Sequence, residues 1–251
     1  MITYEYPLNE RIRILMRMED LFAKYSHFAG QDAPLAHHAA LLTLFEILEI
    51  ARGDLKSDLI QELERQKQSL ELLRNNPGVQ SDALEDVLHH IATTIAQIHG
   101  LSGKIGQHLR DNEWVMSIKQ RACIPGGVCE FDLPSYHYWL SLDASARRDS
   151  LREWMAPFQP LNSAIGIILK ILRDSGQALR RVAPQGAYQQ MVSGRAAQML
   201  RVALDESLPC FPEISANKYA INIRFTALST GTERPRACDT DIEFDLTLCC
   251  L

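Results

Sequence analysis

The spacing of hydrophobic residues changes along this chain, and the change limits the fold classes open to it. Up to about residue 122, apolar residues recur every three or four positions, as on one face of an α-helix. Towards the C-terminus, in KYAINIRFTAL (218–228) and DIEFDLTL (241–248), apolar and polar residues alternate as in half-buried β-strands. Helices followed by strands, without regular alternation of the two, are typical of α+β proteins. We therefore predict an α+β fold with a helical domain of antiparallel helices and a smaller antiparallel β-sheet domain.

Caps and chain breakers divide the first hundred residues into four predicted helices. Asn9 is placed to cap the first helix, and Gly53 to end the second. Two long amphipathic segments follow, and the turn NNPG (75–78) joins them. We expect these two helices to form an antiparallel hairpin.

A further helix is predicted near the middle of the chain. NSAIGIILKILRDSG (162–176) is apolar almost all round, which is typical of a helix that is buried or packed in an interface. Gly166 at its centre lowers helix propensity by about 1 kcal/mol relative to alanine. We interpret this glycine as a position where a neighbouring element approaches closely.

Both termini and a central segment contribute to the predicted sheet domain. TYEYPL (3–8) reads as a strand, and VCEFDL (128–133) alternates apolar and acidic residues after a Pro-Gly-Gly turn. We expect segments 218–228 and 241–248 to pair as a hairpin, which places Arg224 beside an acidic strand. The predicted domain boundaries are 9–122 and 144–180 for the helical domain, and 1–8, 123–143 and 181–251 for the sheet domain.

The charge is unevenly distributed along the chain. The formal net charge is −5, yet residues 173–236 carry nine basic and five acidic side chains, and the last 15 residues carry four acids and no base. The basic block can attract an acidic partner, but its net positive charge is too small to predict a nucleic-acid-binding domain. The alternative is a solvated surface with dispersed arginines.

No feature of the sequence predicts a membrane protein or an enzyme of a familiar motif class. No apolar run approaches the roughly 20 residues that cross a bilayer, and the N-terminus does not read as a signal peptide. We therefore expect a cytoplasmic protein without membrane insertion. Nucleotide-binding loops, the zinc motif HExxH and the nucleophile motif GxSxG are absent from the sequence.

Cys129 and His137 are the main candidates for chemistry. With Asp132 they can be drawn as a thiol nucleophile site, and with Cys123 and the pair 249–250 as a zinc site. The cysteine spacing does not match common zinc sites, and scattered cysteines in a reducing compartment are usually buried thiols. A thiol or metal-dependent enzyme centred on Cys129 and His137 is kept as the alternative function.

Several stretches, in the same order over nearly the whole chain, resemble the ZapD family of cell-division proteins. The stretches that carry the resemblance are YPLNERIRILMRMEDLF (6–22), ILEIARGDLKSDLIQELERQKQSLELLRNNPGV (47–79), KIGQHLRDNEWVMSIKQR (104–121), IPGGVCEFDLPSYHYWL (124–140) and YAINIRF (219–225). The most specific is the fourth, in which IPGG, a cysteine and FDLP precede an aromatic-His-aromatic run.

The resemblance implies a cytoplasmic homodimer that acts at the mid-cell division site. Members of this family bind the C-terminal tail of FtsZ and crosslink its protofilaments into bundles, and they are neither enzymes nor cofactor-dependent. The resemblance assigns dimerisation to the helical domain and tail binding to a basic groove between the helices and the sheet. It implies no nucleic-acid partner.

Carried over by position, the resemblance also assigns residues to tail binding. The candidates are Arg17, Arg52, Arg110, Lys119, Arg121, His137 and Arg224. Glu113 and Ala220 stand where basic residues would fit the pattern of the family, which predicts a less positive groove. We expect Lys218, or Arg180 and Arg181, to compensate.

Overall fold

The computed structural model describes residues 1–51, 53–74, 76–191, 197–217, 219–227 and 236–250, and it confirms the predicted α+β class. The helices are α1 Glu10–Ala29, α2 Pro34–Ile50, α3 Leu55–Glu71, α4 Ser81–Gly100, α5 Gln107–Arg110, α6 Glu113–Ala122, α7 Pro134–Ser141, α8 Ala144–Met155, a short 3-10 helix Ala156–Phe158, and α9 Gln159–Asp174. The strands are β1 Ile2–Pro7, β2 Ala178–Ala183, β3 Ala187–Met191, β4 Met199–Leu204, β5 Cys210–Ala216, β6 Ala220–Ala227, β7 Arg236–Ala237 and β8 Ile242–Cys249.

The chain divides into two compact units. One is Ile14–Ile168, which is helical, and the other combines Met1–Arg13 with Leu169–Leu251 and carries the strands. This division differs from the predicted boundaries chiefly in that residues 123–143 lie in the helical unit.

The helical unit is built around α2, whose apolar residues are buried on most sides. Leu41, Leu44 and Ile47 are fully buried, and α2 contacts α6, α7 and α8. The two long helices α3 and α4 pack against each other as predicted, with Arg74 Nη2 lying 3.1 Å from Glu85 Oε2 beside the connecting turn. Burial of the apolar stripes supplies most of the stability of such helices.

The predicted strand over residues 128–133 is wrong, because the structure forms consecutive turns there. Backbone hydrogen bonds from Gly127 to Ile124 and from Leu133 to Cys129 close these turns, and Pro134 then begins α7. Helix α7 buries Tyr136 and Trp139, so the segment is held by aromatic packing rather than by strand pairing. A run of six residues was too short for its alternation to identify a strand.

Four aromatic rings hold α6, α7 and α8 together. Tyr136 and Trp139 are stacked with ring centroids 5.8 Å apart, and Trp154 lies 5.7 Å from Trp139 and 5.8 Å from Trp114. Such pairs add about 0.5–1.5 kcal/mol each beyond the area that they bury. This cluster fixes the positions of α6 and α7, which carry three of the predicted site residues.

A buried guanidinium crosslinks the loop between α1 and α2 with the α7–α8 junction. Arg147 is 3% exposed and donates to the carbonyl oxygens of Asp32 (2.6 Å) and Leu140 (3.0 Å), and to that of Leu142. Its Nε donates to His37 Nδ1 at 2.8 Å. His37 therefore carries its proton on Nε2, and burial lowers its pKa, with the charge of Arg147 acting in the same direction.

The second unit contains two antiparallel sheets that share one core. The strand orders are β1-β4-β8-β2 and β3-β6-β5, with β7 paired to β6. Alternate residues of β6 and β8 point inward, and the rings of Phe225 and Phe244 meet with centroids 5.1 Å apart. Both termini contribute strands as predicted, because β1 pairs with β4, which pairs with β8.

The predicted hairpin between residues 218–228 and 241–248 is wrong, because β6 and β8 lie in different sheets. In the observed register Arg224 stands opposite Ala187 on β3 and Glu213 on β5, rather than beside the acidic β8. Alternation fixes which face of a strand is buried but does not fix its partner.

Helix α9 has buried and exposed faces. Ile165, Ile168 and Leu172 are fully buried, whereas Gly166 is exposed and a Cβ built on it would meet no described atom within 4 Å. The interpretation of Gly166 as a point of close approach is therefore not supported. The continuous helical run Ala144–Asp174 is long and apolar enough to span a membrane by length and composition, but its fully buried residues are typical of core helices in water.

We predict that Arg147→Ala lowers the free energy of unfolding by about 3 kcal/mol, because it leaves buried carbonyl groups and His37 without their donor. Urea denaturation followed by circular dichroism measures the change. Arg152→Ala on the same helix removes only an exposed ion pair with Asp149, so its effect should stay below about 0.5 kcal/mol. Equal denaturation midpoints for the two variants would show that the buried network is not stabilising.

Candidate partner-binding surface

Helix α6 presents Lys119 and Arg121 after a well-defined start. The Asn112 side chain caps the helix by accepting a hydrogen bond from the Val115 amide at 3.0 Å. Lys119 Nζ lies 2.5 Å from Glu49 Oε1 on α2, and Arg121 Nη1 lies 3.6 Å from Asp132 Oδ1. Both cations are thus partly neutralised by carboxylates of their own unit.

His137 lies on the exposed side of α7. Its Nε2 is 3.6 Å from Glu130 Oε2, and neither side chain is buried. Two aromatic side chains in the same segment are largely exposed, Phe131 at 79% and Tyr138 at 69%. The segment that carries the strongest resemblance therefore presents apolar and titratable groups on the surface of the helical unit.

Arg17 and Arg224 are exposed cations in different units. Arg17 lies on α1, within the helical unit, and Arg224 lies on the outer face of the β3-β6-β5 sheet. Arg224 lines a shallow cavity of about 660 Å³ together with Gln189, Glu213 and Asn222. In the described part of the chain neither arginine makes an ion pair within 4 Å, although Glu213 stands opposite Arg224 on β5.

Arg110 is held by backbone carbonyl groups. Its Nη1 donates to Ile105 at 2.6 Å and its Nη2 to Leu48 at 3.1 Å. The charge is not neutralised by these bonds, because carbonyl oxygens carry only partial charge. Lys56 and Lys104 line the same cavity as Arg110 and were missed by sequence reasoning, since α3 and the loop before α5 meet only in the folded chain.

Three of the described cations in the basic block of residues 173–236 pair with carboxylates of their own unit. Arg173 makes a two-pronged contact with the Glu5 carboxylate, with its Nη2 at 2.8 Å, and Arg201 Nε lies 3.2 Å from the same group. Arg180 pairs with Glu243 at 2.8 Å and with Asp245 at 3.4 Å. Arg180 was predicted to compensate for the less positive groove. That prediction is weakened, because two carboxylates already neutralise the Arg180 charge.

The remaining predicted positions divide into those the structure describes and those it does not. Arg52 and Lys218 lie outside the described residues. Glu113 is exposed in the first turn of α6, where a negative charge is favourable to the helix dipole. Ala220 is 8% exposed, so a longer side chain there would need space that the described residues occupy.

The alternative chemistry around Cys129 and His137 lacks support in the described residues. No three histidine, cysteine, aspartate or glutamate side chains among them come together to hold a metal ion. Burial raises the pKa of Cys249 to about 11, and it is the main cause of the raised pKa of Cys210. Both shifts favour the unreactive thiol.

Comparisons with known proteins agree with the sequence resemblance. A family model described as "ZapD: Cell division protein" matches residues 16–224. The chain is 54% identical to the cell division protein ZapD of Dechloromonas aromatica and to that of Chromobacterium violaceum, each over 250 residues and 99% of both chains. It is also 54% identical over 252 residues, and the whole of both chains, to the ZapD of an Azoarcus species.

The matched model and relatives place the chain among cell-division proteins, which are not a class of enzymes. More specifically, the chain belongs to the ZapD family.

We predict that Gly127→Ala lowers the free energy of unfolding by about 1–3 kcal/mol. A Cβ at this position would lie 2.5 Å from the Arg121 carbonyl oxygen and 2.9 Å from Ile124 Cβ, so the turn that precedes α7 must shift. Gly166→Ala is the matched control, because a Cβ there has open space in a helix and should stabilise the protein by up to about 1 kcal/mol. Urea denaturation measures the change in the free energy of unfolding for each variant. A change of the same sign in both variants would contradict this account of the turn.

Proposed function

We propose that this protein is a cytoplasmic homodimer that acts at the mid-cell division site. Each subunit binds the C-terminal tail of FtsZ through a basic groove, and the dimer thereby crosslinks FtsZ protofilaments. The observation that carries the proposal is the family match, which runs from residue 16 to residue 224 and agrees with full-length relatives.

The chemistry of the described cations supports recognition of an acidic peptide. Arg17 and Arg224 are exposed and make no ion pair within 4 Å in the described residues, and a guanidinium can hold a carboxylate in a two-pronged geometry. Lys119, Arg121 and His137 would exchange an internal carboxylate for one from the tail. Such an exchange costs little where the internal pair is exposed, since exposed pairs contribute only about 0–1 kcal/mol.

Weak binding at each site is sufficient for crosslinking. A flexible tail loses conformational freedom when it binds, so its affinity for one site is expected to be modest. A two-fold dimer presents two equivalent sites, and the second contact forms at a high effective concentration once the first filament is held. We assign dimerisation to the helical unit.

We predict that the protein bundles FtsZ filaments and fails to bundle filaments of FtsZ that lacks its C-terminal tail. Sedimentation at low speed and light scattering of assembled FtsZ measure bundling, and high-speed sedimentation confirms that both polymers assemble. Equal bundling of the two polymers would rule out the tail as the binding partner.

We predict that Arg224→Glu weakens tail binding about tenfold while the protein remains dimeric, because one attractive contact becomes repulsive. Fluorescence anisotropy with a labelled tail peptide measures affinity, and light scattering after size exclusion measures mass. Arg224→Gln removes the charge without placing a carboxylate opposite Glu213, and Lys170→Gln is the matched control on an exposed position of the same unit. Unchanged affinity for both Arg224 variants, or loss of the dimer, would show that Arg224 is misassigned.

A further inference from the structure

The helical unit contains a cavity whose charged lining is entirely positive among the described residues. This α3–α5 cavity has a volume of about 590 Å³ and is lined at one side by Lys56 and Ser57 of α3. Lys104, Gln107 and Arg110 line the other side. In a chain of net charge −5, a cavity whose described lining holds three cations and no acidic residue is a local concentration of positive charge.

Carbonyl groups, rather than carboxylates, hold two of these cations in place. Lys56 Nζ donates to the Leu101 carbonyl oxygen at 2.9 Å, and Arg110 donates to two carbonyl oxygens at 2.6 and 3.1 Å. Lys104 is exposed. None of the three lies within 4 Å of a carboxylate in the described residues, whereas Lys119, Arg121 and His137 all do.

The loop that carries Lys104 approaches Leu48 and Arg110 closely at Gly106. Gly106 has a φ of +74°, and a Cβ there would lie 2.3 Å from Leu48 Cδ1 and 3.3 Å from Arg110 Nη1. Only glycine fits this close approach of the loop to α2. Lys56 and Arg110 are held by backbone carbonyl groups before a ligand arrives, which lowers the entropic cost of binding.

We propose that the α3–α5 cavity binds a carboxylate side chain of an acidic peptide, and that Lys56 and Lys104 are tail-binding residues in addition to those assigned by resemblance. This inference rests on the proposed function, because the peptide is the FtsZ tail. Ala51 and Ile105 also line the cavity, so it offers apolar surface beside the cations. That combination suits a peptide carrying both carboxylates and apolar side chains better than a free inorganic anion.

The test measures binding of a synthetic FtsZ tail peptide to the full chain and its variants. Lys104→Gln should weaken binding about three- to fivefold and Lys104→Glu about tenfold, because an exposed charge contact contributes up to about 1 kcal/mol and reversal adds repulsion. Lys67→Gln is the matched control, since it lies on α3 about 16 Å along the helix from Lys56. Its affinity should stay within about 1.5-fold of the unaltered protein.

A second set of peptides identifies the group that occupies the cavity. In each peptide one Asp or Glu is replaced by Asn or Gln. The affinity of each peptide is then measured for the unaltered protein and for the Lys104→Glu variant. For one of these peptides, Lys104→Glu should weaken binding only about twofold instead of about tenfold. The carboxylate replaced in that peptide is the one that contacts Lys104, because two groups in direct contact show non-additive effects and distant groups do not. Higher salt should reduce the difference in peptide affinity between the unaltered protein and the Lys104→Glu variant, because salt screens exposed charges.

The outcomes separate this inference from the proposed function. If the unaltered protein binds no tail peptide, the proposed function fails and this inference fails with it. If the unaltered protein binds the peptide but Lys104→Glu binds equally well, or no peptide carboxylate couples to Lys104, only this inference is overturned. A further outcome is that millimolar inorganic phosphate competes with the peptide in a way that depends on Lys104, while no peptide carboxylate couples to Lys104. That result would assign the cavity to a phosphate ligand and would also overturn this inference.

Discussion

A basic side chain can attract a partner's carboxylate only to the extent that the carboxylates of its own chain leave its charge unneutralised. This constraint is severe in an acidic protein, and it sorts the cations here into two groups. Arg173, Arg180 and Arg201 pair with acids of their own unit and stabilise it. Arg224 and Lys104 are exposed and make no such pair within the described residues. The account of binding depends on this second group.

Buried contacts fix the elements that carry the predicted tail-binding residues. The aromatic cluster around Trp139 fixes α6 and α7, and the Arg147 network ties the α1–α2 loop to the α7–α8 junction. In the other unit the β3-β6-β5 sheet displays Arg224 on its outer face while Phe225, the next residue, is fully buried. Burial of alternate residues is thus what directs the charged ones outward.

Sequence reasoning predicted the features that depend on local period and on family resemblance. The α+β class, the packing of α3 against α4 and the alternation of buried and exposed residues in β6 followed from apolar spacing. Strand partners did not follow, because the alternation of β6 suits any antiparallel neighbour, and the turns over residues 128–133 mimic a short strand in composition. Lys56 and Lys104 were missed because their shared cavity joins segments almost fifty residues apart, and no spacing rule links such residues. No spacing rule links Lys119 to its carboxylate partner Glu49 either.

The central claim is that two chains together present two tail sites. Native mass spectrometry of the full chain with saturating FtsZ tail peptide tests it most directly, because the mass gives the number of chains and of peptides in each complex. The account predicts a complex of two chains and two peptides, with a one-peptide complex as the intermediate at lower peptide concentration. A complex of one chain at concentrations that bundle filaments, or a dimer that never takes up a second peptide, would contradict it.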